Sequence, residues 1–437
     1  MSTGRGTFAP IEAKLRFLLT FTLALATAEG QADELSIGAA VEAARKRAPA
    51  ILAARHRVSA AEARRDQASL FFRRNPELEG DWLDDRLLTD EGERRFSAAI
   101  TVELELAGQP GLRGDVAERE LQAAGHGVSA FERIYVGRVM EAFYALLEAQ
   151  REAEVVVEIL RLNEDIRAAG QRRLDEGDLP EVAHNLLVVE VERARADTEL
   201  ANAALTRARA ELNRLLGRSA TTALRAAGRL PDRATQGDSG SDEPERLDVW
   251  AARAEAGARG AEVDLLQREA IPNLRLSFGW ELERANLHRE GAAGLGPEVF
   301  DADQYFGIKL ALSIPLFNRN QGAIREAVAK RAAAELEVIA LEHTVSAEVA
   351  SAQADLGAAA RRLDLYAAAL PRVDRNLELL ARAFEAGQID APGLLAARDR
   401  SFRTRLDHLE AQKSYVFAQV ALARALGRDP ASLLEDH

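Results

Sequence analysis

The sequence predicts a mainly α-helical protein with a small β part: long coiled-coil α-helical hairpins plus four β-strands, organised as two internal repeats. Three observations predict it. From about Ser36 onward Ala, Arg, Glu and Leu dominate, a composition typical of long helices, and aromatic residues make up only 5% of the 437 residues. Two long runs carry apolar residues at steps of three and four, each preceded by short stretches that alternate with period two. Finally, the chain matches itself at a constant offset: Gly177 to Gly387, Asp197 to Asp407 and Leu216-Gly217-Arg218 to Leu426-Gly427-Arg428 are all 210 residues apart.

The elements follow in order from the N-terminus. Residues 1–28 read as an export signal: basic Lys14 and Arg16, the mostly apolar stretch Phe17 to Ala26, then small Ala26 and Ala28 placed for cleavage before Glu29. Glu29, Asp33 and Glu34 end the apolar run well short of the roughly 20 residues a spanning helix requires. The first repeat is assigned to 29–225, with strands at about 76–106 and long helices at about 112–216. A linker at 226–244 follows, where Gly237-Asp-Ser-Gly-Ser-Asp-Glu-Pro244 breaks both periodicities. The second repeat is assigned to 245–428, with strands at about 273–316 and helices at about 322–426, and 429–437 forms a C-terminal tail.

Within each repeat a helical segment stops before Pro76 or Pro272. Strands come next. Phe96, Ala98, Ile100, Val102, Leu104 and Leu106 alternate with Ser97, Ala99, Thr101, Glu103 and Glu105; Phe306 to Leu316 and Leu274 to Leu282 behave in the same way. The stretch from Leu78 to Asp85 is weaker, with Leu78 and Trp82 on its apolar side. About 11 residues at about 3.3 Å each, tilted near 45°, cross roughly 25 Å, the apolar height of an outer-membrane barrel. Four strands cannot close a barrel, but three copies of the chain would supply twelve. Trp82 and Trp280 then belong to an interfacial aromatic girdle, and Glu103, Glu105, Glu281 and Glu283 face a water-filled lumen. A soluble sheet with one face on a core accounts equally for the alternation alone.

After each strand pair a helix runs on for about 65 residues, roughly 100 Å at ~1.5 Å each, and no compact globule holds such a helix. In the first, Val128, Phe131, Tyr135, Val139, Ala142 and Leu146 form a coiled-coil seam. Gly177 with Pro180, and Gly387 with Pro392, turn the chain back. Leu174, Gly177, Leu179 and Phe384, Gly387, Ile389 are expected to present two similar apolar knuckles at these turns.

Composition excludes much chemistry. A net charge of −13 leaves no basic excess for nucleic acid. With no Cys there is no disulfide, thiolate metal site, catalytic thiol or lipidated cysteine in this sequence. The seven His show no zinc-binding spacing, and Met140 is the one internal Met. Gly125-His-Gly127 has no preceding strand, and Gly237-Asp-Ser239-Gly lies in the linker, so neither carries a nucleotide or hydrolase motif. No catalytic, cofactor-binding or metal-ligating residue is assigned, and an enzyme is not expected.

The residues Asn75-Pro76-Glu77-Leu78, Ile271-Pro272-Asn273-Leu274, Pro315-Leu316-Phe317-Asn318-Arg319-Asn320-Gln321-Gly322 and the two Gly turns resemble the TolC family of outer-membrane efflux proteins over nearly all of the chain after the signal. Within it they look most like the CzcC-like outer-membrane components of heavy-metal RND efflux systems. The resemblance implies a homotrimer with a 12-stranded β-barrel in outer-membrane lipid and a periplasmic α-helical tunnel. Its helix tips would dock on a periplasmic adaptor (membrane fusion) protein and an inner-membrane RND pump. Some relatives carry gate acids six and nine residues after the second tip Gly; here those positions are Gly393 and Ala396, and Asp390 and Asp399 are the nearest acids. Glu105 stands where the second repeat has Pro315, a departure from the family pattern. Two other functions fit the same reading less fully: a duct for drugs or type I protein secretion, and a soluble periplasmic coiled-coil scaffold.

Overall fold

The computed structural model describes residues 33–84, 94–234, 246–287, 299–386 and 388–434. The export signal, most of the linker and Gly387 lie outside the described residues. The chain order is β1 (Asp33–Leu35), α1 (Ile37–Arg47), α2 (Pro49–Ala68), β2 (Glu77–Asp84), β3 (Arg94–Leu104), α3 (Gln109–Asp175), α4 (Glu181–Leu215), β4 (Leu224–Ala226), α5 (Leu247–Glu269), β5 (Leu274–Leu287), β6 (Val299–Leu312), α6 (Gln321–Glu385), α7 (Ala391–Ala425) and a 3-10 turn (Pro430–Leu434).

Two differences from expectation have local causes. The first helical segment is two helices, α1 and α2, because Ala48 precedes Pro49 and takes an extended conformation (ψ 121°). The three-residue strands β1 and β4 pair in parallel and are too short to leave a periodic trace in the sequence.

The chain divides into two compact units, each drawing on both halves of the sequence. One comprises Met1–Leu52, Phe131–Glu245 and Ala347–His437. Its main core joins α1, β1, β4, α3 and α4 through Ala40, Ala44, Val139, Phe143, Leu146, Leu212 and Leu224. The expected seam on α3 is buried at Tyr135, Val139, Ala142 and Leu146, and the Tyr135 hydroxyl donates to Leu215 O at 2.7 Å. Gln150 closes the free edge of β4, accepting from Ala226 N (2.8 Å) and donating to Ala226 O (3.2 Å). The return helices end alike: Arg218 N donates to Asn213 O and Arg428 N to Ala423 O, both at 2.8 Å, the Schellman closure.

The other unit comprises Ala53–Ala130 and Arg246–Ser346. It holds a four-stranded antiparallel sheet of order β2-β3-β5-β6, so both edge strands lack a partner within the described chain.

Candidate functional site

The register of the sheet places most large apolar strand residues on one face, Leu83 being an exception in register with Arg95 and Glu283. Leu78, Ile100, Phe278 and Ile308 form one row across the four strands; Trp82, Phe96 and Leu282 form another, and Trp280 pairs with Phe306. None of the described residues covers this face: Trp82 is 74% exposed, Phe306 83%, and Ile308, Leu310 and Leu312 are exposed as well. Soluble monomers rarely expose a contiguous apolar patch of such extent. An aromatic band, Trp82, Phe96, Trp280 and Phe306, crosses all four strands, with Phe96 and Trp280 edge-on at 5.7 Å.

The opposite face is polar. Thr101 and Ser277 hydroxyls lie 2.8 Å apart, and Arg95 binds Glu281 (2.9 Å) and Glu283 (2.7 Å). Glu281 and Glu283 therefore share on that face one arginine that the sequence reading left out. Glu103 and Glu105 are placed otherwise. Glu103 meets Arg74 (3.5 Å) and accepts from Asn273 (2.7 Å) at the helix end of the sheet. Glu105 lies past the end of β3, its side chain 5% exposed and paired with Arg113 at 2.6 Å. The expectation of a lumen-facing Glu105 is thus corrected: a carboxylate buried this far needs its cation, and α3 supplies it.

The second site is the pair of helix turns in the helical unit. Asp178 N donates to Arg173 O and Gly177 N to Leu174 O, with Gly177 at φ 82°. That left-handed conformation penalises any residue with a Cβ. Across the matching turn Gln388 N donates to Ala383 O at 2.8 Å. The two turns pack on each other. Leu179 and Phe384, expected as exposed knuckles, are buried (Phe384 1% exposed) in a cluster with Ile166, Leu187, Ala391 and Leu394, while Leu174 and Ile389 are half-buried. The reason is reach: a reversal that exposes a Phe on one hairpin hides it when a second hairpin lies alongside. Arg173 seals the junction, donating to Phe384 O (3.3 Å) with its guanidinium 5.2 Å from the ring centroid. Gly170 permits close approach, since a Cβ there would lie 2.3 Å from Leu187 Cδ1. The exposed remainder of the first turn is polar: Asp175, Glu176, Asp178 and Glu181.

Neither nearby acid is free. Asp390 caps α7, accepting from Gly393 N at 2.9 Å. Asp399 belongs to a network that the sequence reading missed. Its centre is Arg398, 2% exposed, which donates to Glu190 (2.9 Å), Asp399 (2.7 Å) and Asn163 Oδ1. Asn163 in turn donates to Glu190 O (3.3 Å), and Arg193 stands 3.8 Å from Glu190 and 3.9 Å from Asp399. One arginine of α7 thereby ties α3 and α4. The repeat register held the signal: the residues 210 positions before Arg398 and Asp399 are Val188 and Val189, so charge enters where the first repeat is apolar.

Among the described residues no group of His, Cys, Asp and Glu could hold a metal ion, and no helix is long and apolar enough to cross a membrane. The chain thus combines an open sheet that has one bare apolar face with helices 67 and 65 residues long.

Known proteins share this architecture. Residues 243–428 match the family described as "Outer membrane efflux protein". It is 26% identical over 360 residues, 81% of each chain, to the cobalt-zinc-cadmium resistance protein CzcC of Cupriavidus metallidurans. It is 28% identical over 312 residues, 70% of each chain, to the nickel and cobalt resistance protein CnrC of the same organism. In fold it is similar to crystal structures of CusC (TM-score 0.70, 18% identity, 91% of this chain and 93% of that one). The open state of the Neisseria gonorrhoeae MtrE outer membrane channel is a comparable match (TM-score 0.71, 17% identity, 90% and 89%).

Proposed function

We propose that this protein is the outer-membrane exit duct of a tripartite RND-type efflux system and that it passively conducts heavy-metal cations to the exterior. The observation that carries the proposal is the uncovered apolar sheet face with two unpaired edges, which three copies would join into a barrel in lipid. The cation class rests on the resistance named for CzcC and CnrC. A signal at 1–28 exports the chain, and the two repeats at 29–225 and 245–428 each supply two strands and one hairpin. The duct performs no covalent chemistry, and transport energy comes from the inner-membrane pump.

The turns dock the periplasmic adaptor. Buried Leu179 and Phe384 set the shape of the knuckles, Gly177 makes the first reversal, and half-buried Leu174 and Ile389 offer the contact. Opening moves α7 away from α3 and α4, so the Arg398–Glu190–Asp399 network favours the closed state until adaptor contacts outweigh it.

Two tests bear on this. Membrane fractionation followed by electrophoresis with and without boiling is expected to give a heat-modifiable, trimer-sized band from the outer membrane. A monomer in the soluble periplasmic extract would remove the barrel and leave the scaffold reading. Charged substitutions at Gly177 or Gly387 are expected to abolish export of zinc, cobalt or cadmium from intact cells while the trimer persists; undiminished export would remove the docking role.

A further inference from the structure

We infer that the segment from Ile314 to Arg319 binds anionic phospholipid of the membrane's inner leaflet, with Phe317 among the acyl chains and the Arg319 guanidinium on a headgroup phosphate. The inference rests on the proposed membrane position of the sheet and adds which lipid it meets, and where.

The four strand–helix junctions at one end of the sheet are tied into a collar. Arg73 pairs with Glu269 (3.2 Å), Arg74 and Asn273 meet Glu103, Gln109 donates to Asn273 (3.3 Å), and Asn320 Nδ2 donates to Leu266 O (3.0 Å). These contacts pair the named polar groups of the collar with one another. What they leave outside is apolar: Ile314, Leu316 and Phe317 are 74%, 64% and 90% exposed, and Phe317 is the most exposed large apolar residue among those described. Asn320, at φ 60°, and Gln321, which accepts from Arg319 N at 2.7 Å, fix the backbone that carries them. The segment is therefore held rather than loose.

Ile314 continues the parity of Phe306, Ile308, Leu310 and Leu312, so the bare face of β6 extends into it. Phe306 to Ile314 is eight residue steps, roughly 27 Å of strand and roughly 21 Å of height at a tilt near 40°. Leu316 and Phe317 follow past a turn in which Leu316 N donates to Ile314 O (2.9 Å). They supply the remaining few ångströms of an apolar band about 25 Å tall. With the aromatic band of Trp82, Phe96, Trp280 and Phe306 at one limit, Phe317 marks the other. Arg319 is exposed and forms no ion pair among the described residues, and its Nε donates only to Pro315 O at 3.3 Å. An unpaired guanidinium beside an aromatic at the edge of an apolar band matches a phosphodiester in charge and geometry.

The cysteine-free sequence makes the test clean. Phe317→Cys and, separately, Phe306→Cys are labelled with bimane in the full-length protein reconstituted in phosphatidylcholine vesicles containing 30% phosphatidylglycerol. Phosphatidylcholine brominated at known depths then serves as quencher. Quenching of 317 by shallow-brominated lipid, with 306 quenched as well, is the expected result. Quenching at 306 but not at 317 would overturn the collar alone, and would place a neighbouring subunit or water there. Quenching at neither would remove the membrane reading of the sheet along with it. Independently, Arg319→Gln is expected to lower the protein's preference for phosphatidylglycerol over phosphatidylcholine, read by native mass spectrometry, about fivefold per subunit. An unchanged preference would overturn the headgroup contact.

Discussion

Replacing Arg398 by Met is expected to loosen the contact between α7 and the first hairpin by about 2 kcal/mol. The guanidinium is 3% exposed at its side chain, and its loss strands Asn163 Oδ1 together with the carboxylates of Glu190 and Asp399. Breaking a fully buried ion pair costs about 3–5 kcal/mol. Here the lower end applies, because Glu190 and Asp399 keep 21% and 34% side-chain exposure and both stand within 4 Å of Arg193. Met also removes the Arg398 Nε, a buried donor with no partner, which returns about 1 kcal/mol. A net of about 2 kcal/mol corresponds to roughly thirtyfold. Amide hydrogen exchange along the first three turns of α7 reads it directly, since opening of this contact limits exchange there. Arg398→Lys keeps the charge without the fork and is expected to restore only part of the protection. A change below threefold in Arg398→Met would refute the reasoning that this arginine holds α7 on α3 and α4.

Other consequences are equally specific. Arg113→Met is expected to lower stability of the sheet unit by about 3 kcal/mol, read as a shift in urea midpoint, while Arg113→Met with Glu105→Leu costs clearly less, because no carboxylate is then left buried alone. Gly170→Val overpacks against Leu187 and is expected to cost about 1–3 kcal/mol, read as faster proteolysis at the turns; equal resistance would show that the helices part freely there. Burial holds the His408 imidazole below its usual range, with the Asp232 carboxylate opposing more weakly. The unfolded chain then binds the proton more readily, so this contribution to stability is complete above about pH 6.5 and declines as pH falls towards the lowered value. His408→Phe is expected to flatten the difference in melting temperature between pH 7 and pH 5.5. Burial, with Glu148 beside it, holds the Glu152 carboxyl above the usual range, which works in the opposite sense: stability declines as pH rises from the ordinary carboxyl range towards the raised value, and Glu152→Gln removes the loss at neutral pH.

Where one chemical period repeated many times, the sequence sufficed. Alternation over Phe96 to Leu104 and Leu274 to Leu282 gave both the strands and their bare face, because a period of two admits only one division of side chains. Gly177 and the paired Leu-Gly-Arg closures were legible for a similar reason, since few residues tolerate a left-handed turn. The burial of Phe384 and Leu179 was not, because it depends on two hairpins some 210 residues apart meeting side by side, and nothing in either hairpin alone records its neighbour. Arg398 was hidden by abundance. In a chain where 29% of residues are charged, an arginine on a helix reads as solvated. Only its position in the repeat, opposite Val188, sets it apart.

That contrast bears on how two repeats came to do different work in one subunit. At the matching positions the first repeat has Val188 and Val189, of which Val189 is 61% exposed. Placing Arg398 and Asp399 in the second makes the contact polar, directional and dependent on three partners held at once. A well-packed apolar contact of that size would hold at least as firmly, so stability alone does not account for the substitution. A polar contact separates at lower cost wherever water can enter and satisfy its groups, whereas an apolar one resists opening in proportion to its area. Asp399 and Glu190, already partly exposed, give water that entry. On the proposed gating role of Arg398, Arg398→Val together with Asp399→Val is expected to stabilise the tip while reducing export.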